Sequence, residues 1–345
     1  MSTFSTQRRS LVVRAVGSGA IVWLVVIAMF IVAVVFANGF ATPANLNNVT
    51  RQGAALALFA LAQYLVVLIG HVDLAIAANA KLSAIIAAIV MNGSDQNLLL
   101  GLGAALVVGL LVGALNTVLV VNFGVESFIA TLGVGTIVQG IALFIAPVPT
   151  GQASPALGVF YSLQLPGGLY AIVLAVAVVW LLAWFVLRRT VWGRHTFAVG
   201  GDVAVAALSG IRVRPVQVGS FLASGLLGSV AGVLLLAGSG VGDPNAANGM
   251  EFTALAIVVI GGASLAGGRG RLIGLLGGVA LFALLGNVFN LLHIEVWYQQ
   301  LLRGLIILLA AALFVNKVAR PRRARLRSGA VPDSPTTPVH TNERQ

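Results

Sequence analysis

Few residues of this chain could do chemistry, and three of them stand close together. His71 and Asp73 lie in Gly70-His71-Val72-Asp73-Leu74, and Lys81 follows eight residues after Asp73, all within apolar sequence. An ionisable group inside an apolar span costs several kcal/mol unless it is paired, hydrated or used. Three readings fit this spacing. Asp73 has the position of a helix cap, accepting backbone N–H groups near Ile76. Lys81 would then lie ~12 Å further along that helix, facing an ionic partner or lining a polar route. Arg303, Glu126 and Glu251, in or beside other apolar runs, are candidate partners. In the third reading His71, Asp73 and Lys81 form a proton or sodium relay.

Other chemistries are poorly served. The chain has no cysteine, so it offers no thiolate nucleophile, thiolate metal site or disulfide. No G-x-x-x-x-G-K-[ST] occurs, so ATP phosphates have no P-loop here. The glycine-dense run from Gly261 to Arg271 lacks the Lys-Ser/Thr pair and reads as a tight turn beside a membrane. H-E-x-x-H is absent and the four histidines are scattered, so neither a metal site nor a cofactor is expected in this chain. An intramembrane enzyme or scaffold has little support.

The elements that must position these residues follow from composition. Of 345 residues, 59% are hydrophobic and only 8% charged, with mean hydropathy +1.02. Soluble domains carry roughly 25% charged residues, so this chain could not cover itself with polar groups. Apolar runs near 19–38, 53–70, 74–91, 97–121, 127–146, 168–187, 216–238, 252–266, 272–291 and 297–316 predict ten spanning helices. The fold class is therefore an all-α polytopic membrane protein. The first run is too long for a secretory signal and is read as a retained helix. Glycine is frequent within the runs, as close helix packing in lipid requires. The tryptophans lie mostly near run ends, as interfacial anchors do.

The net charge of +11 does not indicate nucleic acid, because sixteen of the twenty Lys and Arg residues flank apolar runs. Arg8, Arg9 and Arg14 precede the first run. Five arginines lie between Arg188 and Arg214, then come Arg269 and Arg271, and six Lys/Arg fall between Lys317 and Arg327. One topology places all four clusters inside, with both termini cytoplasmic. Segments Asn92–Asn97, Pro147–Gly167 and Ser239–Glu251 then face outward and carry no Lys or Arg. Residues 1–18 form a cytoplasmic N-terminal segment, 19–316 the membrane domain, and 317–345 a basic, then Pro/Ser/Thr-rich tail expected to be disordered.

The basic loop at 188–214 is singular. It is broken at Gly200-Gly201, and Asp202 could cap a helix of Val203 to Leu208 that Gly210 would close. That helix is too short to span a bilayer and has no polar face. It needs a headgroup layer or a protein partner to cover it.

Gly193-Arg194, Ala198-Val199-Gly200-Gly201-Asp202, Ala206-Ala207 and Ser209-Gly210-Ile211 resemble the cytoplasmic loop of bacterial ribose-type sugar ABC-transporter permeases. Glu251-Phe252, Ala256, Val259-Ile260-Gly261-Gly262, Ser264-Leu265 and Gly267-Gly268-Arg269-Gly270 are similar to that family's second glycine-rich signature. Asp73-Leu74 and Phe128-Ile129-Ala130-Thr131-Leu132-Gly133 are similar to its N-terminal motifs. The resemblance runs from about Asn45 to Val315. It implies a ten-helix type II importer permease in a bacterial inner membrane, paired with a second permease subunit. Two ATP-binding subunits would carry ATP and Mg, and a periplasmic or lipid-anchored binding protein would deliver a monosaccharide or related polyol. It further implies that Gly193, Arg194, Gly200, Gly201, Asp202, Ala206, Ala207, Ser209, Gly210 and Ile211 couple the permease to its ATPase. Asp73, Lys81, Gly261 and Gly262 are candidate pathway residues.

The chain departs from the family in three places. Gly70-His71-Val72-Asp73-Leu74-Ala75 stands where Gly-Gly-hydrophobic-Asp-Leu-Ser is usual, Lys81 replaces a small or apolar residue, and Asp202 replaces an asparagine. A lysine on the route would favour an acidic or strongly polar substrate. A branched-chain amino acid permease and an ion-coupled secondary carrier are the alternatives.

Overall fold

In apolar surroundings every backbone N–H and C=O must be satisfied within the chain, which leaves helices as the open-ended solution. The computed structural model describes residues 20–295, 297–302, 304, 305 and 308, and among these it contains helices and two isolated bridges but no strand. The helices are α1 (Ala20–Phe36), α2 (Pro43–Leu68), α3 (Ile76–Met91), α4 (Leu98–Thr117) and α5 (Ser127–Ile145). A short α6 (Pro155–Ser162) precedes α7 (Ala171–Arg189), α8 (Val191–Gly201) and the single-turn-plus α9 (Val203–Leu208). Then come α10 (Val213–Ser239), α11 (Met250–Ile260) and α12 (Leu272–Leu291). Six helical stretches are long and apolar enough to cross a membrane, and α1, α3 and α11 are shorter apolar helices. The N-terminal segment, the tail, Arg303 and most of the run at 297–316 lie outside the described residues.

Burial grades the helices from centre to rim. The apolar window of α2 is 83% buried, whereas those of α5 and α7 are 33% and 28% buried. Outer helices show the surroundings large apolar side chains such as Phe144, as a lipid-facing rim does. The long helix α10 packs on α2, α3 and α4. It comes close enough that a Cβ on Gly225 would sit 2.2 Å from the Gly109 carbonyl oxygen, and one on Gly232 2.1 Å from that of Ala80. Asn79 donates to the carbonyl of Gly225 at 2.8 Å, so a polar side chain also ties α3 to α10.

Three differences from the sequence expectation have physical causes. Helix α2 starts ten residues before the apolar run at 53, because Thr42 caps it and Pro43 occupies its first turn. Its polar first turns are satisfied: Asn45 and Asn287 exchange amide hydrogen bonds at 2.9 Å, and the Arg51 guanidinium lies 4.5 Å from the Tyr170 ring. The outward segment 147–167 contains α6. The basic loop is mostly helical, since Arg188 and Arg189 finish α7 and α8 fills 191–201.

Candidate functional site

Three connections meet at one end of the bundle: 69–75 after α2, the α8–α9 segment, and 261–271 after α11. Their meeting is made of backbone. The Gly268 amide donates to the carbonyl oxygen of Leu68 at 2.9 Å. A Cβ on Gly200 would lie 1.8 Å from that same oxygen, and one on Gly268 2.6 Å from the Gly201 Cα. Any side chain at Gly200 would force α2, α8 and the 261–271 turn apart. Gly193 has a similar task at the α7–α8 reversal, where a Cβ would meet the Leu187 carbonyl oxygen at 2.4 Å. The Thr190 hydroxyl accepts the Gly193 amide at 3.2 Å and caps α8, leaving Arg194 exposed on its first turn.

Helix α9 is then laid against this junction. The Asp202 carboxylate accepts the Val205 amide at 3.0 Å, the N-cap bond its residue type favours. At the other end Gly210 takes φ +79, its amide donates to Ala207 and that of Ile211 to Ala206, at 3.0 and 3.1 Å. This αL closure satisfies the last carbonyls of the helix. The Ser209 hydroxyl donates to the Val205 carbonyl at 2.8 Å. Ala206 points inward, buried with Val66, Val199 and Phe221, and Ile211 packs beside them. Ala207 faces outward. So do the larger apolar residues: Val203 is 48% exposed, Val205 59% and Leu208 89%. The short helix is fixed at both ends and on one side, and it presents an apolar face beyond the bundle.

The 69–75 connection is gripped from α5. Thr131 accepts the Leu74 amide at 3.0 Å, and the Ser127 hydroxyl accepts that of Val72 at 3.2 Å. Asp73 is buried and fully engaged. It accepts from the Ala75 amide at 3.0 Å, Asn116 of α4 at 3.2 Å and Ser224 of α10 at 2.7 Å. It therefore ties α4, α10 and the start of α3 together, capping by a turn of its own rather than at Ile76. His71 lies 3.3 Å from the Gln217 amide, and burial holds its imidazole below its ordinary pKa, partly opposed by the Glu126 carboxylate.

Lys81 belongs to a different set of contacts. Its Nζ donates to Gln139 of α5 at 2.6 Å and, at shorter range, to Asn248 in the segment before α11. The Glu251 and Asp243 carboxylates lie within electrostatic reach, and Glu251 Oε2 is buried with no hydrogen-bond partner. His71, Asp73 and Lys81 share no hydrogen-bonding partner, so among the described residues no relay joins them. Gly261 packs the end of α11 on α12, and Gly262 beside it is exposed at φ +86. Both line a hollow of about 400 Å³ with Phe197, Gly268 and Arg271. They thus sit at the α8–α9 end, apart from Lys81. Sequence reasoning passed over Gln139, Asn116 and Ser224, whose only signal was a polar side chain within an apolar run, and Asn248, which lies in the polar segment between two runs.

A bundle of helices with a lipid-facing rim, six of them long and apolar enough to cross a membrane, defines a polytopic membrane protein, here one that presents a rigid, outward-facing apolar helix. The chain matches the family described as branched-chain amino acid transport system / permease component over residues 45–311, and it belongs to that family. It is 36% identical to the ribose import permease protein of Escherichia coli strain K12 over 275 residues, covering 79% of this chain and 85% of the relative. It is 33% identical to the Bacillus subtilis ribose import permease protein, covering 84% and 91% of the two chains. The L-arabinose ABC transporter permease protein of Azospirillum brasilense is 30% identical, with 83% and 84% covered. No solved structure matches the chain.

Proposed function

We propose that this chain is the membrane-spanning subunit of an ATP-driven importer for a monosaccharide or related polyol. The carrying observation is the apolar face of α9, held rigidly on a junction of three connections and left uncovered by the described residues. Such a face needs a protein partner, and an ATP-binding subunit supplies both cover and energy, since this chain has no P-loop. The relatives named for ribose and arabinose support a sugar as cargo. In this reading the chain has ten spans, both termini face the cytoplasm of a bacterial inner membrane, and a second permease subunit completes the route. A binding protein delivers the sugar at the end opposite α9. ATP and Mg stay on the partner ATPase.

The route passes Lys81, Asp73, Gly261 and Gly262. Lys81 is already bridged to two amide oxygens and balanced by two carboxylates, so the charge it offers cargo is not that of a free lysine. This favours exchange of amide oxygens for sugar hydroxyls over capture of an acid. A cross-linking experiment tests the coupling role. Because the chain has no cysteine, Leu208→Cys gives a unique thiol. A bifunctional reagent on membranes holding the whole importer should join it to an ATP-binding subunit. Adducts only with lipid or with other membrane subunits would oppose this assignment.

A further inference from the structure

A groove of about 720 Å³ runs along the outside of the bundle, away from Lys81 and from the face of α9. Its walls are Val49 to Tyr64 of α2, Val173 to Arg188 of α7 and Leu272 to Leu284 of α12, with Arg271 at the entry to α12. At 1.5 Å per residue each wall is about 20 Å long, close to half of a ~40 Å bilayer with its interfaces. The groove therefore has the depth of one leaflet. It is open to its surroundings, because Leu181, Trp184, Ile273 and Leu276 line it while remaining 40% or more exposed. A Trp23 indole hydrogen bond to the Ile273 carbonyl, at 3.0 Å, fixes α1 along one edge.

Among the described residues, charge in the lining is confined to one end. Arg188 closes α7 and Arg271 precedes α12, both exposed, and among the described residues neither side chain has a hydrogen bond or ion pair. Tyr64 lies near Arg188, and among the described residues no carboxylate lines the groove. Two guanidinium forks over a long apolar trough match a phosphate diester carrying acyl chains. Basic pockets between membrane helices favour anionic headgroups in this way. We propose that the groove holds one anionic phospholipid, with its phosphate between Arg188 and Arg271 and its chains along α2, α7 and α12.

The test is native mass spectrometry of the full-length chain in detergent, titrated with phosphatidylglycerol or phosphatidylcholine of identical chains. One phosphatidylglycerol should bind on the order of tenfold more tightly than phosphatidylcholine. Arg188→Gln with Arg271→Gln should erase that preference while leaving the weaker binding. Ala177→Phe, at an exposed position lining the trough, should remove both lipids without lowering the unfolding temperature in lipid-free detergent. Equal affinity for the two lipids, or a preference that survives the double substitution, would overturn the proposal. So would an Ala177→Phe chain that still binds lipid, or one that loses self-association instead, which would assign the groove to a second copy.

Discussion

Leu208 has almost its whole side chain outside the fold, so it contributes little to holding the bundle together. Leu208→Asp should therefore insert and accumulate normally while ATP-driven uptake falls at least tenfold, as measured by labelled-sugar uptake against membrane protein level. Ala207→Asp and Gly210→Trp should act in the same way, the second with an added backbone cost of about 1–2 kcal/mol for a side chain at positive φ. Asp73 is the contrasting case. Asp73→Ala would orphan the Asn116 and Ser224 donors at a cost of about 2–4 kcal/mol, so a clear fall in the thermal midpoint should accompany any loss of uptake, whereas Leu208→Asp should leave that midpoint unmoved. His71 brings a pH dependence. Its folded pKa lies below the unfolded value, so the stability it contributes is present above about pH 6.5 and is lost as pH falls through the folded value. Thermal midpoints measured from pH 8 to 5 should drop more steeply for the native chain than for His71→Gln.

At the scale of elements, the close approach of α10 to α3 and α4 is the framework on which the connections rest. Gly232→Leu should drive α10 from α3 and cost more than the ~1–3 kcal/mol of ordinary overpacking, because backbone rather than a flexible side chain lies in the way. Gly103→Leu, on the same kind of helix with open space beside it, should leave thermal unfolding nearly unchanged. Much of this framework was legible in sequence. Runs of apolar residues give the helices α3, α4, α5, α7, α10 and α12 to within about four residues at each end, because hydropathy registers apolar surroundings, whether lipid or, as for α3, the buried interior. It missed the first turns of α2, where Asn45 and Arg51 find partners on α12 and in Tyr170 across long sequence separations. It also missed α8, since Arg194 and His195 make a helix look like a loop when polarity is the only guide. The cap of α9 was readable from Asp202 and Gly210, which act locally. The clamp of Gly200 on Leu68 was not, because a close approach is set by the partner backbone and leaves only a glycine in the sequence.

For the whole molecule, two separate polar regions stand at different heights of the bundle: the connections around α9, and the Lys81 bridge to Gln139 and Asn248. ATP-linked movement at the first can shift the second only if α3, α5 and α10 move as rigid bodies between states that the ATPase binds unequally. Lys81→Met would remove the bridge across α3, α5 and the 240–249 segment, so basal ATPase activity of the assembled importer should rise severalfold while the sugar selectivity of uptake broadens. Unchanged values on both would make Lys81 a purely structural bond. The account's central claim, that α9 carries ATP-derived force into this chain, is tested most directly in proteoliposomes. Labelled ribose, arabinose and allose would be supplied to the permease reconstituted with its ATP-binding subunit and binding protein, then to the same assembly carrying Leu208→Asp. The account predicts uptake of at least one sugar that requires ATP and collapses in the variant while the subunits still insert. Uptake by the chain alone under an ion gradient, or full ATP-driven uptake by the variant, would contradict it.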